Sequence, residues 1–370
     1  MILLNSSIGN YVISNGKRYS YFGGNNYLGL SSHPAVKEAS IKAIEKYGIN
    51  FSASRRTTGT ADIHLELESK LSDFKGSQDT VIFASGYQGN SILLEVLKDK
   101  FSAVFIDQFA HPSIITAVHY GNKDIYYYNH CDAEHLQKLL DHHKDSFPMI
   151  ITDGIFALTG EIAPLDRIYP LIKQYHALMI VDDAHSTGIL GKTGKGTPEH
   201  FNLPGDENIY QSETMSKALG AYGGFISGST ILTDSIREKS AIYQSSTALP
   251  PPVVAAGIAS LGIISENPDL HKQVLEKADR LRKEIISQGF KTNQDNTPII
   301  SVMFPDMRLA KSLSSFLENN GVIVPFMNYP SKQDLHMIRI AVSATHTNDQ
   351  ADELLELLKK WKNRNQPGST

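Results

Sequence analysis

The sequence predicts an α/β fold, with a mainly parallel central sheet followed by a smaller C-terminal α+β domain. Three observations carry this. Short β-rich runs alternate with helical patterns between residues 80 and 215. Several of those runs are continuously apolar, as strands covered on both faces must be. After about residue 250 the pattern changes, and long helical stretches enclose a few short strands.

The expected strands are Thr80–Ala84, Ala103–Asp107, Asp124–Tyr128, Met149–Thr152, Leu178–Asp182 and Ile209–Ser212. Ile63, Leu67, Leu71 and Phe74 recur at helical spacing and share one face. Pro34 suits the first position of another helix, because its φ is fixed and its missing N–H would have no partner there. The order strand, helix, strand argues for parallel pairing. Further on, one helical region is expected over Pro250–Gln288, then a strand at Ile299–Phe304, a helix around Leu309–Leu317 and a strand at Ile338–Val342. Thr347 and Gln350 have capping-box spacing, and Leu354, Leu355, Leu358 and Trp361 follow on one helical face. The expected division is an N-terminal arm (1–35), a large α/β domain (36–250) and a small C-terminal domain (251–370).

Of the 370 residues 41% are hydrophobic and 20% charged, enough for a sizeable core. The net charge of -4, with both signs interspersed, offers no field for nucleic acid or an anionic membrane. Cys131 is the single cysteine, so an intrachain disulfide is excluded and a reducing compartment fits. The first residues lack a basic start followed by an apolar run. The most apolar long stretch, Pro250–Ile264, is too short to span a bilayer. A cytoplasmic protein without a membrane span is expected.

Three segments carry chemistry. In Ser212 to Gly224, Lys217 follows a strand end, hydroxyl residues precede it and glycines follow. Hydroxyls and close backbone approach suit a phosphate, and a lysine beside it suits a carbonyl-bearing cofactor. By itself, a loop lysine is usually just a solvated surface residue. In Val181 to Gly188, Asp182 stands at the carboxyl end of an apolar strand, where open parallel sheets bind ligands. A carboxylate there can keep a pyridine nitrogen protonated, with His185 reaching the ring oxygen. A helix cap by Asp183, or a metal site of Asp182, Asp183 and His185, competes with that reading. In Ala84 to Asn90, a small-residue turn opens a helix and offers backbone N–H groups to a phosphate.

Phosphate turn, acid and lysine on successive strand ends form a more specific set than any one of them. With Asn25 to Leu30, Ser54-Arg55, Gly59, His64, Ala110 to Ser113, Ser246-Thr247 before Pro250-Pro251, and Arg339 to Thr347, the chain resembles the α-oxoamine synthases. The resemblance runs from about Tyr21 to Trp361. It implies the pyridoxal phosphate transferase fold of type I and pyridoxal 5'-phosphate as cofactor. Lys217 would hold the cofactor as a Schiff base and later move the α-proton. Asp182 would pair with the ring nitrogen, His185 would lie near the ring hydroxyl, and His111 would stack on the ring unless it merely caps the helix at Pro112. Ser85, Gly86 and Tyr87 would bind phosphate, with the Thr214 hydroxyl. Thr247 would reach the phosphate of a neighbouring subunit, which implies a homodimer. Asn25 and Arg339 would hold the amino-acid carboxylate, although a strand arginine is often only an ion-pair partner.

The implied reaction is a decarboxylating condensation of a small amino acid with an acyl-CoA or other acyl thioester. Four features depart from the family pattern. Asn50 to Ser54 replace a glycine-rich stretch, Ala157 stands where a serine is usual, Asn328 to Lys332 replace a Pro-Thr-Val-Pro loop, and the usual N-terminal helix is missing. None touches Lys217, Asp182, His185 or Arg339. The acyl partner is left open, and an aldolase, decarboxylase or aminotransferase on a free amino acid is the alternative. A metal-dependent hydrolase is a more distant one.

Overall fold

The computed structural model describes residues 2–119, 123–203, 205–327 and 336–365. It divides into two compact units. One comprises Met1–Ser32, Ala157–Glu161 and Asp269–Thr370; the other His33–Phe156 and Ile162–Pro268. The sequence reading had set its divisions after residues 35 and 250.

The second unit is built on a seven-stranded sheet of β1 (Asp79–Phe83), β2 (Ala103–Asp107), β3 (Asp124–Tyr128), β4 (Pro148–Asp153), β5 (Leu178–Asp182), β6 (Ile209–Thr214) and β7 (Gly224–Gly228). Their spatial order is β1-β7-β6-β5-β4-β2-β3. All neighbours are parallel except β7, which runs antiparallel to both β1 and β6. Six strands fall within two residues of the expected bounds. The seventh was not expected, because Gly-Phe-Ile-Ser-Gly carries too few β-branched residues to stand out from a glycine-rich loop.

Side-chain alternation then makes two cores from one sheet. Val104, Ile106, Met149, Ile151 and Ile180 join one apolar cluster. Ala103, Phe105, Ile150, Met179 and Val181 join the other. Helices cover these faces as parallel connections require. Asp62–Lys75 buries Ile63, Leu67 and Leu71 and stops at Gly76 in the left-handed region. The helix Pro34–Tyr47 starts at its proline, with His33 Nδ1 accepting from Ala35 N. It packs on Pro251–Glu266, and Ser40 Oγ donates to Pro252 O at 2.8 Å.

The helical region expected over Pro250–Gln288 consists of two helices, Pro251–Glu266 and Leu270–Ser287. Pro268 lacks an N–H and disfavours helical geometry at Asn267, so the first helix ends there.

The first unit holds two small sheets. Tyr11–Ser14 and Lys17–Tyr21 form a hairpin joined in parallel by Val322–Ile323. Its two-residue turn, Asn15-Gly16, has φ of 50° and 74°, the geometry that an Asn-Gly pair favours. The other sheet has the strands Lys291–Thr292, Ile299–Phe304, His336–Ala341 and Phe326–Met327, in that order and antiparallel. Thr347 and Gln350 form the expected capping box, with reciprocal bonds of 3.2 and 3.3 Å. Leu354, Leu358 and Trp361 are buried behind it. Among the described residues no helix is long and apolar enough to cross a membrane.

Candidate active site

The site residues of the second unit gather at the carboxyl ends of its parallel strands. After β1, Ser85 Oγ accepts from Tyr87 N at 3.3 Å, and a single 3-10 turn, Gly86–Gln88, opens the helix Gly89–Leu97. This turn lies against the end of β6. A Cβ at Gly86 would come within 2.7 Å of Thr214 Cβ, and one at Gly89 within 2.2 Å of Ser212 Oγ. Only glycine allows that approach.

At the end of β5, Asp182 is buried and accepts from Asn90 Nδ2 at 2.7 Å and Ala184 N at 3.1 Å. Asn90 Nδ2 also donates to Ser113 Oγ, while its own Oδ1 is buried without a protein partner. After β2, the amide of His111 donates to Asp153 Oδ2 at 2.9 Å, and Nδ1 accepts from Ser113 N at 3.2 Å. The ring therefore does cap the helix start at Pro112. That bond fixes its orientation and does not exclude contact with a ligand on its face. Burial holds His111 below the usual histidine range; the Asp182 charge opposes this and the Lys217 charge adds to it. Asp153 is pushed well above the carboxylate range, first by burial and then by the Asp182 charge.

His185 is buried and Lys217 half-buried. The Thr214 hydroxyl lies 2.9 Å from Gly223 O and accepts from Ser216 N, so its polar capacity is largely committed within its own loop. Thr247 is exposed and bridges to Ser54 in an isolated β-contact. Arg55, the other half of that motif, is turned inward, where it makes a bidentate pair with Glu68 at 3.0 and 2.9 Å. His64 Nε2 bonds Leu249 O at 2.9 Å.

In the first unit, Arg339 is buried on the strand His336–Ala341. It donates from Nε to Ala157 O at 2.6 Å, and from Nη2 to Asn25 Oδ1 at 3.0 Å and the Tyr27 hydroxyl at 3.1 Å. No carboxylate is among those partners. Ala157 contributes through its carbonyl and needs no hydroxyl for this. Asn328 to Lys332 lie outside the described residues.

The residues fit a flat, phosphate-bearing pyridine cofactor. A buried carboxylate lies within electrostatic reach of an imidazole and a lysine, and a glycine-opened helix N-terminus packs against the end of the neighbouring strand β6. They do not fit a metal at Asp182, Asp183 and His185. Asp183 turns away, with Oδ1 bonded to Thr197 Oγ1 and Oδ2 to Thr197 N and Gln211 Nε2. Among the described residues only Asp107, His130 and Cys131 have metal-like spacing. There Asp107 already accepts from Phe109 N, Cys131 N and His130, which makes it a loop clamp.

The sequence reading missed Asn90 and Asp153. Asn90 directly follows the last glycine of the phosphate turn, and Asp153 lies one residue past the expected strand Met149–Thr152. Asn90 closes the segment Ala84 to Asn90 but had no role there, and only the strand's true end at Asp153 brings that carboxyl into view.

Comparison with known proteins agrees with this geometry. The family model described as aminotransferase class I and II matches residues 20–358. An 8-amino-7-oxononanoate synthase of Thermoanaerobacter pseudethanolicus is 37% identical over 363 residues, covering 97% of this chain and 92% of that protein. The chain belongs to the α-oxoamine synthase family. Another relative of this synthase, the 8-amino-7-oxononanoate synthase of Lysinibacillus sphaericus, is 37% identical and covers 94% and 90% of the two chains. Among solved structures, a serine palmitoyltransferase of S. paucimobilis with bound PLP-myriocin aldimine superposes with a TM-score of 0.93 at 27% identity, over 98% of this chain and 92% of that one. An 8-amino-7-oxononanoate synthase of Francisella tularensis gives 0.80 at 25% identity, over 93% and 98%. The fold is thus the type I fold of pyridoxal phosphate enzymes.

Proposed function

We propose that this α-oxoamine synthase condenses a small amino acid with an acyl thioester and releases carbon dioxide, as an 8-amino-7-oxononanoate synthase does. Its cofactor is pyridoxal 5'-phosphate. The observation that carries the reading is the placing of a pinned, buried carboxylate, Asp182, on the same strand ends as His111 and Lys217.

Lys217 would hold the aldehyde of the cofactor, Asp182 its ring nitrogen, His185 its ring hydroxyl and His111 its face. Ser85, Gly86 and Tyr87 would hold the phosphate through backbone amides, with Thr214 as a polar neighbour. Bound there, the cofactor supplies an electron sink for negative charge at the amino-acid α-carbon. Asp182 supports that sink because its carboxylate keeps a ring nitrogen protonated. The Lys217 amine would move the α-proton. Arg339, oriented by Asn25, binds the amino-acid carboxylate as a charge-assisted fork. The active enzyme is a cytoplasmic homodimer in this reading, with exposed Thr247 turned toward the neighbouring phosphate.

The test is to mix the purified protein and cofactor with alanine, glycine or serine and a series of acyl-CoAs, and to measure free CoA. Thioester cleavage that depends on the amino acid, together with a near-visible absorption band lost in Lys217→Ala, is the expected result. No cleavage with any pair would overturn the condensation.

A second reading keeps the cofactor and drops the thioester. It is favoured by the stretch Asn50 to Ser54, which carries side chains where the family carries glycines, with Ser52 at φ 53°. Carbon dioxide or aldehyde released without a thioester would select it.

A further inference from the structure

Asp182 and Asp183 are neighbours, as are Glu213 and Thr214, yet each pair splits between two sides of the sheet. Asp182 meets Asn90, and Ser212 and Thr214 face the glycines of the phosphate turn. Gln211, Glu213 and Asp183 point the other way, as strand alternation requires. There they meet a buried ammonium. Lys75 Nζ lies 2.6 Å from Glu213 Oε1, and the two side chains are 4% and 0% exposed. Thr187 Oγ1 donates to the same oxygen at 2.8 Å. Lys75 Nζ also donates to Lys195 O, which accepts from Gln211 Nε2 at 3.3 Å, and Gln211 Nε2 reaches Asp183 Oδ2. Two glycines make room for Asp183. A Cβ at Gly154 would lie 2.0 Å from Asp183 Oδ1, and one at Gly196 would lie 2.3 Å from Oδ2.

This arrangement costs the fold something. Two carboxylates and one ammonium are buried together, and Glu213 Oε2 has no hydrogen-bond partner among the described residues. An apolar cluster of similar volume would serve stability as well or better. What the charged cluster adds is direction. Its bonds to Glu213, Gln211 and Asp183 hold the back of the two strand ends whose fronts carry Asp182 and Thr214.

We propose that Lys75 and Glu213, with the Asp183 cage, are positioning residues that fix Asp182 and Thr214 for the cofactor from behind the sheet. They touch no ligand themselves. Lys75 comes from the helix Asp62–Lys75, so this helix is tied to the site through one ammonium. Burial pushes Glu213 up to about 7, ahead of the opposing effect of Lys75, and raises Asp183 too, so the cluster is easily perturbed by one proton. The inference rests on the cofactor reading given above.

The test uses the full-length protein in four forms: wild type, Glu213→Gln, Lys75→Met, and the double variant Lys75→Met/Glu213→Leu. The measurements are the melting temperature of the apoprotein, the dissociation constant for pyridoxal phosphate, and the pH midpoint of the near-visible band of the holoprotein. Both single variants are expected to lose about tenfold or more in cofactor affinity, as groups behind a ligand shell commonly do, and to shift the midpoint. The double variant fills the space with apolar groups and should recover the melting temperature but not the affinity or the midpoint. If it recovers all three, or if the single variants bind cofactor as wild type does while only melting earlier, the cluster is merely structural and the proposal fails. If wild type itself shows no band with cofactor, it is the cofactor reading that fails instead.

Discussion

Asp153 and Asp182 lie opposite each other in the register of β4 and β5, and both carboxyl groups are buried. Asp153 accepts from the His111 amide while Asp182 accepts from Asn90, so the pair ties two segments of the site to neighbouring strands. Burial and the Asp182 charge raise Asp153 well above the usual carboxylate range and so favour its neutral form. Asp153→Asn copies that neutral, accepting form and should change kcat by less than about tenfold, whereas Asp182→Asn should lose about 100-fold or more. The native state also keeps a proton that the unfolded chain releases above about pH 3.9. Asp153 therefore lowers stability as pH rises from there to its native pKa. Denaturation midpoints against pH should show a slope in wild type that is weaker in Asp153→Asn; identical slopes would refute the assignment.

Arg339 is held at three points by Ala157 O, Asn25 Oδ1 and the Tyr27 hydroxyl. Lysine cannot reproduce the planar fork. Arg339→Lys should raise the amino-acid KM by about 10-fold to 100-fold, the worth of a charge-assisted hydrogen bond. Asn25→Ala should have a smaller effect in the same direction. Steady-state kinetics with varied amino acid decides this; an unchanged KM in Arg339→Lys would assign the arginine to the fold.

Arg55 and Glu68 are 7% and 5% exposed, and Glu68 Oε1 also accepts from Ile82 N on β1. Removing one partner leaves a buried charge unpaired. Glu68→Ala should cost about 3–5 kcal/mol in chemical denaturation. A loss within that seen for exposed pairs such as Lys42–Glu38 would show that Arg55 finds another acceptor.

His346 is buried, stacks on Phe22 at 4.0 Å, accepts from Ser343 N and donates from Nε2 to Tyr21 O. Those roles require a neutral ring, and burial pushes it down to about 4. The unfolded chain takes up this proton below about pH 6.5. Stability from His346 is thus full above that value and falls as pH drops to about 4, by about 3 kcal/mol. His346→Gln should flatten this part of the profile in urea denaturation between those pH values.

The parallel strands were legible because Phe105, Ile150 and Ile180 belong to runs that are apolar on both faces, a pattern that only a covered strand produces. The hairpin at Asn15-Gly16 carried a signal too, the Asn-Gly pair between alternating residues, and it was passed over. β7 carried almost none. Its glycines serve close packing, since a Cβ at Gly224 would lie 2.8 Å from Gly86 Cα, and packing partners are not written in a local window.

The sequence alone determined which side chains could do chemistry here. Lys217 and Asp182 were visible in it as residue types at or just beyond strand ends, because chemistry selects the side chain and the strand period selects its place, whereas His111 and Arg339 were assigned through the resemblance to the family. Only the tertiary structure decided what each of them faces. Alternation sends Asp182 to the front of β5 and Asp183 to the back, and contacts distant in sequence, Lys75 with Glu213 and Arg55 with Glu68, fix which charges are buried. Burial depends on the whole packed sheet, so no segment read by itself could have assigned it.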